Sequence, residues 1–132
     1  MTPHEPLRAK IHTELARRGL GAHMNNTRWA RLLTAMRGLS FPPPYQRKDL
    51  LQPEPAPPHF DADVHYHGDW LEGIHPLNTI EWLKIRPRHL QHVALLVPPR
   101  LVSCEAELRH ALAAIGQAYE VDDDAVWIFG YR

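Results

Sequence analysis

The placement of proline most constrains what this chain can fold into, because proline cannot continue a helix or pair in the middle of a sheet. Thirteen of the 132 residues are proline, roughly twice the average usage of about 5%. The densest groups are Pro42–Pro44 and residues 53–58, and the second predicts an extended, polyproline-like linker. We therefore expect regular elements joined by stiff, irregular connections that run across the surface.

Three helices are predicted where apolar residues recur every three or four positions. Each is preceded by side chains that can cap its first turn: Thr2 with Glu5, Asn25 to Thr27, and Ser103. Each is followed by a glycine that can end it: Gly19, Gly38 and Gly116. The first helix has a narrow apolar stripe and is expected at the periphery, whereas the second carries Trp29 and is expected to anchor the core.

Strands are predicted where apolar residues alternate with polar ones or run together. The expected strands are an extended stretch around Tyr45–Leu51, then Phe60–Trp70 and Thr79–Arg86, and a C-terminal hairpin of residues 118–121 and 125–131. The last strand is apolar on both faces, so we expect it in the centre of the sheet. The run His92–Val97 is either a strand or a helical turn, because six residues show no decisive period.

Together these elements predict a single domain of the α+β class. It contains a mostly antiparallel sheet of four to five strands, with about three helices packed mainly on one face. Residues 24–132 are expected to form this domain, and residues 1–23 a helical extension before it. A length of 132 residues leaves little room for a second core.

Composition excludes several classes of protein. The one cysteine, Cys104, cannot form an intramolecular disulfide, although small secreted domains usually need several. The N-terminus has no apolar segment of signal-peptide length. The longest apolar runs, such as Val93–Val97, are far shorter than the ~20 residues that cross a bilayer. We therefore predict a cytoplasmic protein with no membrane partner.

Charge is unevenly distributed, although the net charge is zero. Residues 1–50 carry an excess of six positive charges, and residues 51–132 an excess of six negative ones. A general nucleic-acid binder more often has a net basic domain with interleaved aromatic residues. We therefore do not expect nucleic acid as the main partner, and contact through the basic first fifty residues is kept as a third possibility.

Three stretches of the sequence together resemble one family. They are Asn25–Trp29 (N-N-T-R-W), Ile80–Ile85 (I-E-W-L-K-I), and the ending Ile115–Tyr131 with its I-G, Y-E and W-I-F-G-Y. In this order they resemble a family of small, uncharacterised bacterial proteins, a domain of unknown function, over about residues 25–131. The resemblance implies a fold and a bacterial origin but no activity. The outline of helices, sheet and hairpin is also similar to that of many cytoplasmic immunity proteins, an analogy of fold alone.

The segment Phe60–Trp70 carries the candidate site. Alternate side chains of a strand share a face, so Phe60, Val64 and Tyr66 are expected to be buried and the polar residues to face outward. The predicted partner-binding residues are Asp61, Asp63, His65, His67, Asp69 and Trp70. Trp70 is expected either in the core or partly exposed as the main contact, because tryptophan is enriched in interface hot spots.

The same row of side chains offers a second hypothesis. His65 and His67, two residues apart on a strand, can hold one metal ion, and Asp61 or Asp63 can complete the set. This spacing predicts a small metal-dependent enzyme. Cys104 lies near the start of the third helix, where its pKa could be lowered, but no Cys/His signature surrounds it, and we interpret it as a buried, inert thiol.

The first hypothesis remains a non-catalytic protein-binding factor of the immunity or antitoxin kind, without a cofactor. The sequence contains no G-x-S-x-G elbow and no glycine-rich phosphate loop. Such a factor would block a toxin by occlusion, pressing the acidic region 54–72 and Trp70 onto a basic surface of the toxin domain. Complementary charge would speed association and select the partner.

Overall fold

The secondary-structure elements follow the chain in the order ααββββαββ in a computed structural model that describes residues 5–132. The helices are α1 (Glu5–Arg18), α2 (Asn26–Arg37) and α3 (Glu105–Ala114). The strands are β1 (Tyr45–Asp49), β2 (Ile80–Ile85), β3 (Arg88–Gln91), β4 (Arg100–Ser103), β5 (Glu120–Asp122) and β6 (Ala125–Phe129). None of the helices in this described part is long and apolar enough to cross a membrane. The fold is α+β, as the sequence predicts.

Four strands form one antiparallel sheet in the order β1–β2–β6–β5. β2 pairs with β1 on one side, where Ile85 lies opposite Tyr45, and with β6 on the other, where Leu83 lies opposite Ile128. β6 is therefore central, as its apolar composition predicts, and it forms the C-terminal hairpin with β5. β3 and β4 form a separate two-stranded sheet, called the β3–β4 hairpin below.

The main core lies between the four-stranded sheet and helices α2 and α3. Its members are Trp29, Leu32, Leu33 and Met36 from α2, Leu108 and Leu112 from α3, and Leu83, Ile85, Val126 and Ile128 from the sheet. The sheet residues of this cluster lie opposite one another in the β2–β6 register, so their side chains share one face. Both helices therefore pack on that face, and Trp29 anchors the core as predicted.

The opposite face of the sheet carries aromatic side chains that are half-buried. Trp82 lies opposite Phe129, and Lys84 lies opposite Trp127. The rings of Trp82 and Trp127 are 4.7 Å apart, and the Nζ atom of Lys84 lies 5.4 Å from the centre of the Trp127 ring. The two central strands are thus partly covered on both faces, which explains their apolar composition.

A side-chain cap is formed at the start of α2, whereas the N-cap residue of α3 is Cys104, which makes no side-chain capping bond, and the predicted Ser103 lies one residue earlier. The side-chain oxygen of Asn25 accepts the backbone N–H of Arg28 at 2.8 Å, which confirms the predicted cap. Before α3, the Oγ atom of Ser103 accepts the N–H of Glu105 at 3.2 Å. The cap predicted at Thr2 lies outside the described residues.

Helix α1 and the turn after it are attached to the rest of the chain. The guanidinium of Arg18 donates hydrogen bonds of 2.8 and 3.0 Å to the carboxylate of Glu81 on β2. Gly19, with a φ of 66°, ends the helix. The chain then runs beside its own C-terminus, where Gly21 and Arg132 exchange backbone hydrogen bonds of 3.0 and 2.9 Å. The division of the chain at residue 24 stays a prediction.

The segment Phe60–Trp70 is not a strand, so this prediction is wrong. It forms no ladder with a neighbour; Leu90 of β3 donates one isolated hydrogen bond to the carbonyl of Val64, at 2.7 Å. Tyr66, expected to be buried, is 48% exposed, whereas the aromatic residues at both ends of the segment are buried. The segment is an irregular loop, called the 60–70 loop below. The burial of Phe60 and Trp70 determines its conformation and outweighs the weak alternation of its sequence.

Candidate functional site

Trp70 is buried at the end of the 60–70 loop. Only 1% of its surface is exposed, and its ring lies 4.9 Å from that of Tyr45. Its indole N–H donates to the carbonyl oxygen of Pro43 at 2.8 Å, which supplies the acceptor that a buried indole needs. The prediction that Trp70 is a partly exposed contact is therefore wrong, and the prediction that it lies in the core is confirmed.

Asp63 contacts two arginines of the same chain. Its Oδ1 atom lies 3.2 Å from Nη2 of Arg86 and 3.4 Å from Nε of Arg88. The Arg86 side chain is buried, and its guanidinium lies 5.9 Å from the centre of the Phe60 ring. A buried cation requires a partner, and Asp63 serves as one. Its carboxylate is therefore not part of a free, outward-facing row.

Asp69 organises the turn that follows the 60–70 loop. Its Oδ1 atom accepts the backbone N–H groups of Leu71 and Glu72, each at 3.0 Å. The N–H groups of Glu72, Leu71 and Gly73 lower the pKa of Asp69, because they favour the charged carboxylate. The hydroxyl of Tyr45 donates to the Asp69 carbonyl at 2.7 Å. Asp69 therefore has a structural role that its exposure does not reveal.

His67 contacts His89 of β3. The two Nε2 atoms are 3.2 Å apart, and both rings pack against the buried Phe41, with ring-centre distances of 5.4 and 4.3 Å. His89 is 7% exposed, and its Nδ1 atom has no hydrogen-bond partner in the described structure. This pair of histidines joins the 60–70 loop to the β3–β4 hairpin.

The contact needs a proton on one of the two Nε2 atoms and none on the other. We assign the proton to Nε2 of His89, which then donates to Nε2 of His67 and leaves its Nδ1 atom unprotonated. Burial, and then the neighbouring His67, lower the pKa of His89. A metal ion on Nε2 of His89 would force the proton onto Nδ1, so the pair is a poor ligand set.

Asp61 and His65 are exposed. Of the six predicted residues they are the two whose side chains have no hydrogen bond or ion pair described within residues 5–132. In that part of the chain, no group of three or more histidine, cysteine, aspartate or glutamate side chains is arranged to hold a metal ion. The predicted row of Asp61, Asp63, His65 and His67 is not formed, because the segment is not a strand.

Cys104 is a buried thiol. Burial, and then the negative charge of Glu107, raise the pKa of Cys104 to about 11. A thiol with this pKa is protonated at neutral pH, and the thiolate is the nucleophilic form. The interpretation of Cys104 as an inert residue agrees with this environment.

The most exposed apolar side chains lie where the sequence predicted no site. The chain between β3 and β4, residues 92–99, forms the tip of the β3–β4 hairpin and is called the tip loop below. Leu95 is 83% exposed and Leu96 is 96% exposed. Val93, Val97 and Leu101 are about half exposed. The tip loop therefore presents adjacent apolar side chains to solvent, an arrangement typical of interaction sites.

Leu96 also has an unfavourable backbone conformation. Its φ is 62°, in the left-handed region, which costs a residue with a Cβ atom about 1–2 kcal/mol. Pro98 and Pro99 follow and restrict the conformations of the chain as it returns to β4. Backbone strain of this kind is often found at functional sites, and here it coincides with the most exposed leucine.

The base of the hairpin is fixed to the rest of the protein. Cys104, directly after β4, donates its N–H to the carbonyl of Pro87 at 2.8 Å. Leu90 donates to Val64 of the 60–70 loop at 2.7 Å. The tip loop is therefore carried by an arm that is attached through both of its strands.

A sequence signal for the tip loop was present. Val93–Val97 is among the longest apolar runs of the chain and is followed directly by Pro98–Pro99. For His92–Val97 the sequence leaves a strand and a helical turn open, because six residues show no decisive period, and the structure forms a loop there. The proline pair can continue neither element and instead indicates a turn.

Comparison with known proteins gives a family. A family model described as a family of unknown function, DUF6678, matches residues 11–132. The match begins within α1, earlier than Asn25, where the motif resemblance starts. Comparison with curated proteins found no match, and comparison with solved structures found none either.

Proposed function

The chain belongs to DUF6678, a family of unknown function, and from its surface we propose that it is a non-catalytic protein-binding factor. The observation that supports this proposal is the exposed apolar tip loop. The proposed partner is a protein with an apolar cleft that takes up Leu95 and Leu96.

Burial of the tip loop would contribute strongly to a complex. Leu95 and Leu96 are almost fully exposed, and burying one leucine side chain contributes about 1.5–3 kcal/mol. The hairpin is attached to the rest of the protein through both of its strands, which holds the tip loop in place before binding, so less conformational freedom is lost on association.

The charges around the tip loop favour a particular partner surface. The hairpin from Arg88 to Ser103 contains two arginines and no acidic residue, and Arg100 is exposed at the end of the loop. The 60–70 loop, bonded to the hairpin, contributes the exposed Asp61 and His65. The partner would therefore carry carboxylates near Arg100 and basic groups near Asp61.

We further propose that the partner is a bacterial toxin domain, which this chain blocks by occlusion in the cytoplasm. The support is the similarity of its outline of helices, sheet and hairpin to that expected of immunity proteins, an analogy of fold alone. In this role the apolar tip loop would enter a cleft of the toxin. The exposed Asp61 would contact a basic surface beside that cleft.

Co-expression with the product of the adjacent gene tests the proposal. The wild-type chain should co-purify with that product and, where the product is toxic, restore growth. The double variant Leu95→Ser, Leu96→Ser should lose both effects. Val121→Ser removes another apolar side chain, 49% exposed but outside the β3–β4 hairpin, and should lose neither. A complex that survives the double change would contradict the proposal, as would binding of the tip loop to lipid vesicles in place of a protein.

A further inference from the structure

The outer edge of β4 follows from the hydrogen-bond pattern of the hairpin. Cys104 donates its N–H to the carbonyl of Pro87, at 2.8 Å, so this pair is hydrogen-bonded. Bonded and non-bonded pairs alternate in an antiparallel ladder. Val102, two residues before, therefore also bonds to β3, whereas the backbone N–H and C=O groups of Leu101 and Ser103 point away from β3.

The same alternation is visible on β3. Leu90 lies opposite Leu101, and its N–H points away from β4 to the carbonyl of Val64. The outer edge of β3 therefore has a neighbour in the 60–70 loop. On β4, no backbone hydrogen bond is described for Leu101 or Ser103 within residues 5–132. Two N–H and two C=O groups are thus available on an exposed strand edge, which is a template for pairing with another strand.

We propose that this edge of β4 pairs with the same edge of a second copy of the chain. The two strands are antiparallel, and the two-fold axis passes beside Val102. Leu101 then exchanges two backbone hydrogen bonds with the partner's Ser103, and the symmetric pair adds two more. The two hairpins together form one four-stranded sheet.

A second copy fits this edge because the edge is complementary to itself. The two residues with free backbone groups lie symmetrically about Val102, so a single register satisfies all four groups of each copy. Arg100 lies opposite the partner's Cys104 in this register, so no two like charges face each other across the pairing. A two-stranded sheet is also marginally stable by itself, and pairing doubles its number of strands.

The proposed dimer is independent of the proposed partner of the tip loop. The antiparallel arrangement places the two tip loops at opposite ends of the four-stranded sheet, where both stay accessible. Loss of the dimer and loss of partner binding can therefore be observed separately.

Disulfide trapping tests the geometry of the dimer. Across the axis, Val102 and the partner's Val102 form a non-bonded pair, whose Cα atoms are roughly 4.5 Å apart, within the range that a disulfide spans. Val102→Cys should form a covalent dimer several-fold faster than Leu95→Cys, although Leu95 is much more exposed. Equal or slower cross-linking of Val102→Cys would overturn the proposal.

Sedimentation at increasing protein concentration tests the role of the backbone. Leu101→Pro removes one N–H that points away from β3, whereas Leu101→Ser removes the apolar side chain and keeps this N–H. We expect the wild type and Leu101→Ser to form dimers at high concentration and Leu101→Pro to stay monomeric with an unchanged circular dichroism spectrum. A wild type that is monomeric throughout, or a dimer of Leu101→Pro, would contradict strand pairing.

Discussion

The Nε2 atoms of His67 and His89 lie 3.2 Å apart, and this contact joins the 60–70 loop to the β3–β4 hairpin. We assign His89 as the donor, and its buried Nδ1 atom has no partner in the described structure. A proton on Nε2 of His67 would turn the acceptor into a donor, and two N–H groups would then face each other. The contact therefore requires that at least one of the two facing Nε2 atoms carries no proton.

Stability is expected to fall when the protein is acidified. The pKa of His89 is lowered in the folded state by burial and by His67, so the unfolded chain binds a proton more readily. The stabilisation that neutral His89 contributes is complete above the unfolded pKa of about 6.5. It is lost as the pH falls from there through the lowered pKa of the folded state. Urea unfolding gives the free energy of unfolding at about pH 7.5 and about pH 5.5. The decrease between these two values should be smaller for His89→Phe than for wild type. His65→Gln, a change at an exposed histidine, should keep the wild-type difference.

Two substitutions of Trp70 separate its packing from its hydrogen bond. Trp70→Ala opens a cavity in the core and should lower the free energy of unfolding by about 3–5 kcal/mol. Trp70→Phe keeps a ring but leaves the buried Pro43 carbonyl without its donor, and we expect a loss of about 1–3 kcal/mol. Chemical denaturation measures both values. A loss below about 0.5 kcal/mol for Trp70→Ala, typical of surface sites, would mean that this side chain is not buried.

Glycine at position 96 should stabilise the free protein. Leu96 has a φ of 62°, where glycine is not strained, so Leu96→Gly is expected to raise the free energy of unfolding by about 0.5–1 kcal/mol. Leu95 lacks a positive φ, and Leu95→Gly should instead be destabilising because it only adds freedom to the unfolded chain. Thermal and urea unfolding of the pair provide the comparison. A stabilisation by both changes, or by neither, would rule out strain at Leu96.

Local signals explain which parts of the fold could be predicted. The cap at Asn25 and the apolar stripe that starts at Trp29 define α2 within a few residues. The C-terminal hairpin was also predictable, because its turn contains Asp123 and Asp124, each with a φ of 57°, and aspartate tolerates this conformation well. Each of these elements is decided by residues that are close in sequence.

The 60–70 loop could not be predicted because distant residues decide its conformation. Trp70 bonds to Pro43, which is 27 positions away, and Asp63 bonds to Arg86, which is 23 positions away. Alternation within the segment carries no information about these contacts. The predicted site therefore kept only two of its side chains, Asp61 and His65, exposed and free of described contacts.

Calorimetric titration of the co-purified partner, with wild type and with Leu96→Gly, decides whether the tip loop is the contact surface. We expect the variant to fold, to be at least as stable as wild type, and to bind at least about tenfold more weakly, since a buried leucine contributes about 1.5–3 kcal/mol. Val121→Ser should bind with an affinity within about twofold of wild type, as expected of a residue outside the contact. Equal affinity of Leu96→Gly and wild type would contradict a protein-binding role for the tip loop.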